Sequence, residues 1–270
     1  YVRKRIAGKL TSTYVDIYSD ELYQLLLRNA RDARALNKRI RQIEKELSNI
    51  GYEEATLSNR VYQNIDFARA NMKSNIYDQA VLEGVGTSFP QTEEIINNGI
   101  VNGVKASDVQ KILNLKHAWE FILDKDVIQR DSNFYMISHI AKLVNEGFYM
   151  DGGKVRSVPV TIGGSSYVPP IPVENVVKEN IDGIVASGNE PIDIAIELCL
   201  YCMKTQIFID GNKRASVLFA NQYLIAHGQG FIVIPEKKVP EFKRLLVEYY
   251  EGADISIIGA FLKDKCWKKF

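Results

Sequence analysis

Helical spacing of apolar residues runs through most of this chain and constrains its fold more than any other feature. In the first part, apolar residues between Leu22 and Ile50 recur at steps of four and three, the spacing of a long helical seam. A second periodic stretch extends from Val61 to Leu82, after a short break at Gly51. Two long helices joined in this way predict an antiparallel helical hairpin. The seam is suited either to dimerise or to pack on the rest of the chain.

The second part of the chain shows the same helical spacing, with residues that cap helices at several ends. Ser107 and Ser132 stand where N-caps are expected, and Gly147 and Gly228 stand where C-caps are expected. The predicted helices cover residues 107–123, 133–147, 173–186, 191–203, 213–227, 240–250 and 256–267. We therefore expect a mainly α fold with a helical hairpin over residues 1–86 and a larger helical domain over residues 87–270.

Composition excludes several classes of protein. The 270 residues carry 34 basic and 33 acidic side chains, a net charge of +1 that does not suit a strongly basic nucleic-acid binder. Basic side chains crowd the first predicted helix but alternate with acidic ones, which is typical of a solvated helix surface. No apolar run approaches the roughly 18 residues of a membrane-spanning helix, and the basic start of the chain lacks the apolar stretch of a secretion signal.

The three cysteines make an odd count, which favours a reducing, cytoplasmic setting over a disulfide scaffold. Cys199 and Cys202 have the spacing of a metal or redox pair. They fall inside a predicted helix, however, and no histidine completes a metal-binding set. We interpret both as packing residues.

Residues 158–168 interrupt the helical pattern with short β-rich runs on either side of Gly163 and Gly164. A glycine pair between such runs predicts a tight hairpin, which Pro169 and Pro170 would end. A lone hairpin among helices has a free edge that can accept another chain as an added strand. The same pattern is equally typical of a surface connector.

A polar loop between two apolar helices carries the residues best suited to chemistry. A helix start binds phosphate through unpaired N–H groups, and Gly211 lets backbone approach an anion closely. Lys213 and Arg214 can neutralise phosphate oxygens, and Asn212 can donate a hydrogen bond. Asp210 is an oxygen ligand suited to phosphate-bound Mg²⁺. The pattern is also typical of a plain helix–helix turn, and it does not match a P-loop.

The segment Gln206-x-Phe208-x-Asp210-Gly211-Asn212-Lys213-Arg214 resembles the signature loop of the Fic/Doc family, His-x-Phe-x-Asp/Glu-Gly-Asn-Gly/Lys-Arg. Residues 153–170 resemble the family's target-docking flap, and Leu82-Glu83-Gly84 resembles the end of its inhibitory helix. The likeness runs from about Asn75 to Phe261. It implies a compact helical bundle that transfers AMP, or in Doc-like proteins phosphate, from a nucleotide to a protein hydroxyl.

The resemblance also implies ATP and Mg²⁺ as cofactors and a role for each residue of the loop. The nucleotide would be held by Asp210, Gly211, Asn212, Lys213 and Arg214, with Asp210 as the metal ligand. Phe208 would anchor the loop in the core. A protein target would dock as an extra strand on the flap, at Val160, Thr161, Ile162, Gly163, Gly164 and Tyr167. The expected partners are this target, the nucleotide and, as an open alternative, a second copy of the chain; a membrane and nucleic acid are not expected.

The most consequential departure from the family is Gln206, which stands where the family has the histidine that acts as general base. The catalytic set would be Gln206, Asn212 and Arg214, but a carboxamide has no acid–base equilibrium near neutral pH. Loss of a positioned base typically costs about 10²- to 10⁴-fold in rate. His117, His139 and His227 lie in helical segments remote from the loop. We therefore expect impaired AMP transfer, with a non-catalytic binding module as the alternative.

Further departures affect regulation and the group transferred. Val217 replaces the second arginine of AMP-transferring members, with which Glu83, the regulatory residue, would normally pair. Glu83 is then expected to turn toward Lys213 or Arg214. Gln79 stands where Ser or Thr is usual in the inhibitory helix. Lys213 replaces a glycine, as in Doc-like proteins, so phosphate transfer is a further alternative.

Overall fold

The structure, a computed structural model, describes residues 2–6, 9–13, 19–50, 57–99 and 101–270. Its backbone contacts divide it into two compact units, Tyr1–Glu54 and Ala55–Phe270. This division differs from the expected boundary at residue 86. The reason is that helices α2 (Asn59–Ala70) and α3 (Met72–Leu82) bury apolar residues in the core of the second unit.

The first unit contains a strand pair and one long helix. Strands β1 (Val2–Ile6) and β2 (Lys9–Thr13) pair antiparallel and were not expected from the sequence. Helix α1 (Asp20–Asn49) covers the predicted seam, and Ser19 Oγ accepts a hydrogen bond from Leu22 N at 3.1 Å at its start. The predicted antiparallel hairpin pairs helices from different units and stays a prediction.

The second unit is a helical assembly with a small strand pair. After α2 and α3 its helices are α4 (Phe89–Asn98), α5 (Ala106–Ile122), α6 (Lys125–Ile128), α7 (Phe134–Val144), α8 (Glu174–Val185), α9 (Pro191–Thr205), α10 (Asn212–Ala226), α11 (Val239–Tyr250) and α12 (Ile255–Phe261). A π-helical turn, Leu262–Cys266, follows α12. Strands β3 (Phe231–Ile232) and β4 (Trp267–Lys268) pair antiparallel near the C-terminus. The expected mainly helical fold is confirmed.

Helix α10 lies at the centre of this unit. It packs against α2, α5, α7 and α9, and every residue from Asn212 to Ile225 except Lys213 is buried. Such a helix must be apolar on nearly all sides or satisfy its polar groups internally. Its Asn221 does the latter, because its side chain bonds both backbone groups of Ile232. The site therefore begins on a rigid, fully packed element.

Two helices differ from those expected. The single helix predicted over residues 61–82 is divided at Asn71, which ends α2 and precedes α3, and whose Nδ2 donates to Phe67 O at 2.8 Å. Helix α4 was missed, although Ser88 and Gln91 form a capping box and a proline stands in its first turn.

The flap segment, residues 158–168, has a turn but no paired strands. Ser165 N donates to Ile162 O at 3.2 Å across the two glycines, and Gly164 has φ +82°. No ladder of strand hydrogen bonds joins its arms. The glycine signal therefore located the turn, while the predicted hairpin strands did not form.

The structure also bears on the roles of the cysteines and on the possibility of a membrane-spanning helix. Cys199, Cys202 and Cys266 are all buried free thiols, consistent with a packing role. No described helix is both long enough and apolar enough to cross a bilayer.

Candidate active site

A loop between α9 and α10 forms the centre of the site. It begins at Gln206, which has φ +48° and is the only non-glycine residue in the left-handed region within the described chain. It ends at Gly211, with φ +73°, which starts α10. Two left-handed residues let the chain reverse between two packed helices while the first turn of α10 stays open.

One buried amide closes this loop from within. Asn212 Oδ1 accepts from Phe208 N at 2.9 Å, and its Nδ2 donates to Phe208 O at 2.8 Å and to Gln206 Oε1 at 3.2 Å. Phe208 is buried, in the anchoring position that the resemblance implies. Asn212 therefore stabilises the loop conformation, and its side-chain N–H groups donate within the loop.

The end of α7 supports the loop from below. Asn145 Nδ2 donates to Asp210 O at 2.9 Å and to Gly152 O at 3.0 Å. Its Oδ1 would lie 2.7 Å from a Cβ placed on Gly211, so only glycine fits there. The sequence placed residue 145 near the end of a helix and carried no signal for this contact.

A cavity of about 390 Å³ opens above the loop. One part of its lining is formed by Gln206 and residues 209–213, and another by Lys243, Leu246, Val247 and Tyr250 of α11. Residues 160–163 of the flap and Glu83 complete it. The structure thus brings together an open helix start, an apolar wall, the flap and the end of α3.

Arg214 lies beneath the loop and is not part of the cavity lining among the described residues. Its side chain is 2% exposed; Nη1 donates to Val144 O at 2.8 Å, and Nη2 donates to Asp210 Oδ2 at 3.2 Å. The guanidinium therefore orients Asp210 and ties the loop to α7. Its expected role as a phosphate ligand stays a prediction.

Glu83 lies beside both cations that follow Asn212. Its Oε1 is 3.7 Å from Lys213 Nζ, and its Oε2 is 3.6 Å from Arg214 Nε. This is the orientation expected from the missing second arginine. Neither Glu83 Oε1 nor Arg214 Nε has a hydrogen-bond partner, so the contact is ionic and loosely restrained. Val217 is 2% exposed and packs in the core.

Gln79 couples the same helix to the loop. Its Nε2 donates to Arg214 O at 3.0 Å, and its Oε1 accepts from Trp119 Nε1 at 3.2 Å. The carboxamide donates and accepts at the same time and so spans Arg214 and Trp119. The Ser or Thr that is usual at this position in the family has a shorter side chain. α3 is thereby held against the first turn of α10.

No strong base lies at the position of Gln206. The Gln206 Nε2 donates to Met203 O at 2.7 Å, so the side chain is engaged at both ends. Burial chiefly, with nearby Cys199 and Glu83, raises the pKa of the Tyr250 hydroxyl far above its usual range, so this phenol stays protonated. The cavity lining includes no histidine; His139 stacks on Phe121.

Arg156 ties the flap to the loop; the sequence marked it only as part of the segment that resembles the flap. Its Nε donates to Gln206 O at 2.6 Å, and its backbone N donates to Ile207 O at 2.9 Å. Its other nitrogens donate to the carbonyls of Val158, Pro169 and Pro170 at the two ends of the flap. Desolvation lowers the pKa of this buried guanidinium, which these carbonyls nevertheless satisfy as acceptors.

Metal binding in the cavity would depend on Asp210. No group of three or more His, Cys, Asp or Glu within the described residues is arranged to hold a metal ion. The Asp210 carboxylate is 48% exposed at the cavity wall, with one oxygen facing Arg214. Mg²⁺ commonly binds one or two carboxylates together with substrate phosphates, so one carboxylate fits a metal that arrives with a nucleotide.

A larger cavity, of about 820 Å³, lies between the start of α2, α6, the start of α7 and the end of α10. It contains Arg130, Asp131 and His227, and none of the unpaired buried polar atoms of the described residues lies there. The cavity above the loop is therefore the better candidate for a polar ligand.

Comparison with known proteins agrees with this geometry. The sequence profile of the Fic/DOC family matches residues 133–224. A protein adenylyltransferase Fic from Drosophila willistoni is 25% identical over 94% of this chain and 54% of its own length. The protein of the same name from Drosophila mojavensis is 23% identical over 94% of this chain and 53% of its own length. This chain thus spans about half the length of these relatives.

Solved structures share the fold. Fic-1, residues 134–508, from C. elegans superposes with a TM-score of 0.61 at 18% identity, over 89% of this chain and 74% of that chain. A Fic domain containing signaling protein from Bacteroides thetaiotaomicron gives a TM-score of 0.59 at 20% identity, over 76% of this chain and 90% of that chain. The profile thus identifies a Fic/DOC family region at residues 133–224, and the solved structures show the fold that the chain shares with them.

Proposed function

We propose that this protein binds Mg²⁺-ATP in the cavity above the loop and is related in activity to enzymes that transfer AMP to a protein hydroxyl. We further propose that its transfer rate is lowered by Gln206. The observation that carries the proposal is the junction of an open helix start at residues 211–213 with the apolar wall of Leu246 and Val247.

The two walls match the two ends of a nucleotide. The start of α10 offers unpaired N–H groups and a partial positive charge to phosphates, and Lys213 adds a full charge. Leu246 and Val247 offer an apolar surface for a base. Asp210 would hold Mg²⁺, which supplies neutralisation of phosphate charge when bound.

AMP transfer would proceed by attack of a target hydroxyl oxygen on the α-phosphorus. A bond forms between these atoms, the bond from the α-phosphorus to the bridging oxygen breaks, and pyrophosphate leaves. The hydroxyl proton must be removed, and Gln206 cannot accept it. Solvent would then take the proton, so the protein retains positioning without base catalysis.

The flap is the proposed target-docking segment. The N–H groups of Val160, Thr161 and Ile162 make no hydrogen bond to any described residue, so they are available to an added strand. Of the six expected residues, Val160, Thr161, Ile162 and Gly163 line the cavity, Gly164 forms the turn, and Tyr167 packs beside Tyr250.

Glu83 is the proposed regulatory residue. Its carboxylate neutralises Lys213, which an incoming phosphate also requires, so the two compete. Because its contacts lie at 3.6–3.7 Å without a hydrogen bond, nucleotide can displace it at modest cost.

Two alternatives have specific support. A non-catalytic nucleotide- or protein-binding module is favoured by the Gln206 carboxamide, which is bonded to Met203 of α9 and to Asn212. Doc-like phosphate transfer is favoured by Lys213.

We also infer that a homodimer forms through α1, where Leu36 and Ile40 are exposed. Light scattering that finds only monomer would exclude this dimer.

Calorimetry with Mg²⁺-ATP tests the nucleotide site. Lys213→Ala should weaken binding, and Lys237→Ala, an exposed lysine outside the cavity, should leave it unchanged. Failure of the unmodified protein to bind at millimolar nucleotide would refute the proposal. Intact mass after incubation then separates added AMP, added phosphate and no transfer.

A further inference from the structure

A single carboxylate oxygen holds the tip of the flap. Glu251, the residue that caps the end of α11, accepts on its Oε1 from Ser166 N at 2.7 Å, from Ser166 Oγ at 2.9 Å and from Ser165 Oγ at 3.1 Å. Ser165 also receives the N–H of Tyr167, at 3.2 Å. We call Ser165, Ser166 and Glu251 the flap clasp.

The acceptor in the clasp is a charged carboxylate. Hydrogen bonds from the Ser166 backbone, then from the Ser166 and Ser165 hydroxyls, lower the pKa of Glu251. The side chain is therefore ionised at neutral pH, and a carboxylate oxygen accepts several donors more strongly than a neutral one.

Aromatic contacts continue the clasp toward the core. Lys204 Nζ lies 5.5 Å from the centre of the Tyr167 ring and donates to Tyr249 O at 2.9 Å. The Tyr167 ring lies 6.3 Å from that of Tyr250, which lines the cavity. Arg156 holds the two ends of the flap, and the clasp holds its turn. Residues 160–163 lie between these fixed points.

We propose that Glu251 is a positioning residue that holds the flap turn over the nucleotide cavity, so that residues 160–163 stay in its wall. Glu251 is not itself among the residues that line the cavity. The effect of Glu251 on activity rests on the proposed function, because the position of the flap affects activity only if the cavity binds nucleotide. The clasp itself is measurable without any ligand.

Hydrogen exchange with mass spectrometry, on the full chain, tests the clasp. In Glu251→Ala the amide of Ser166 loses its acceptor, and exchange over residues 165–167, whose amides are hydrogen-bonded, should accelerate about fivefold or more. Glu251→Gln keeps an acceptor oxygen and should restore part of the protection. Glu248→Ala is the matched control, because Glu248 lies on the same helix, is exposed and pairs with Arg244 at 2.6 Å.

The outcomes separate the two proposals. Unchanged exchange over the flap in Glu251→Ala, or equal acceleration in Glu248→Ala, overturns the clasp. Adding Mg²⁺-ATP to the unmodified protein should slow exchange at residues 160–163 and should do so less in Glu251→Ala. If calorimetry detects no nucleotide binding, the proposed function fails while the ligand-free exchange still decides the clasp.

Discussion

Replacing Gln206 by histidine restores a base at the one position where the site lacks it. The backbone there has φ +48°, a region that histidine enters more readily than most residues. Asn212 keeps both of its bonds to Phe208 after the substitution, so the loop retains its internal closure. An imidazole at this position can accept the proton of an incoming hydroxyl.

The expected gain exceeds the expected structural cost. Gln206→His removes hydrogen bonds to Met203 and Asn212, each worth about 1 kcal/mol of stability. A domain of ordinary stability, about 5–15 kcal/mol, tolerates this loss. A positioned base contributes about 10²- to 10⁴-fold in rate, equivalent to about 3–5 kcal/mol of activation free energy.

Auto-modification with ATP labelled on the α- or the γ-phosphate measures the effect and identifies the transferred group. Only neutral imidazole accepts a proton, so the rate should rise with pH and level off above about 6.5. Gln206→Asn is the control, because asparagine also tolerates a left-handed backbone and has no base. A Gln206→His protein that binds nucleotide by calorimetry but transfers neither label would refute the reasoning.

Three further predictions concern the same unit. Glu83→Gln removes the charge that competes with phosphate and should tighten ATP binding about fivefold, or about 1 kcal/mol, by calorimetry, whereas Glu93→Gln, in an exposed pair, should not. Gly211→Ala places a Cβ at positive φ against a buried amide and should lower the free energy of unfolding in urea by about 1–3 kcal/mol, with Gly163→Ala, in open space, as control. Burial raises the pKa of Cys199 to about 12, so iodoacetamide at pH 8 should label this thiol only after unfolding, and labelling of the folded protein would contradict its burial.

Apolar spacing was enough to predict most helices, because the residues that an amphipathic helix buries recur every three or four positions in the sequence. It joined α2 and α3, because the apolar spacing continues past Asn71, where the helix is divided. It missed α4, although the capping box of Ser88 and Gln91 is visible in the sequence. It predicted strands at the flap, where the turn residues are present but the arms are held by Arg156 and Glu251 instead.

In the candidate site, too, the sequence predicted the residues that belong to a local motif and missed those that packing brings together. The loop residues are consecutive, so a motif located them, and Glu83 followed from the resemblance of residues 82–84 to the end of the family's inhibitory helix. Asn145, Arg156 and the wall at Leu246 are brought to the loop only by packing of distant segments. No local pattern predicts these contacts, and the burial of Arg214 and Val217 likewise depends on where α10 lies.

Arg156 joins the flap and the loop through direct hydrogen bonds. Its guanidinium and backbone bind Gln206 and Ile207 on one side and both ends of the flap on the other. If a nucleotide orders the loop, the flap becomes less costly to order, and a docked polypeptide does the same in reverse. Reciprocity then requires that each ligand change the affinity of the other by the same factor, with one arginine as the transmitter.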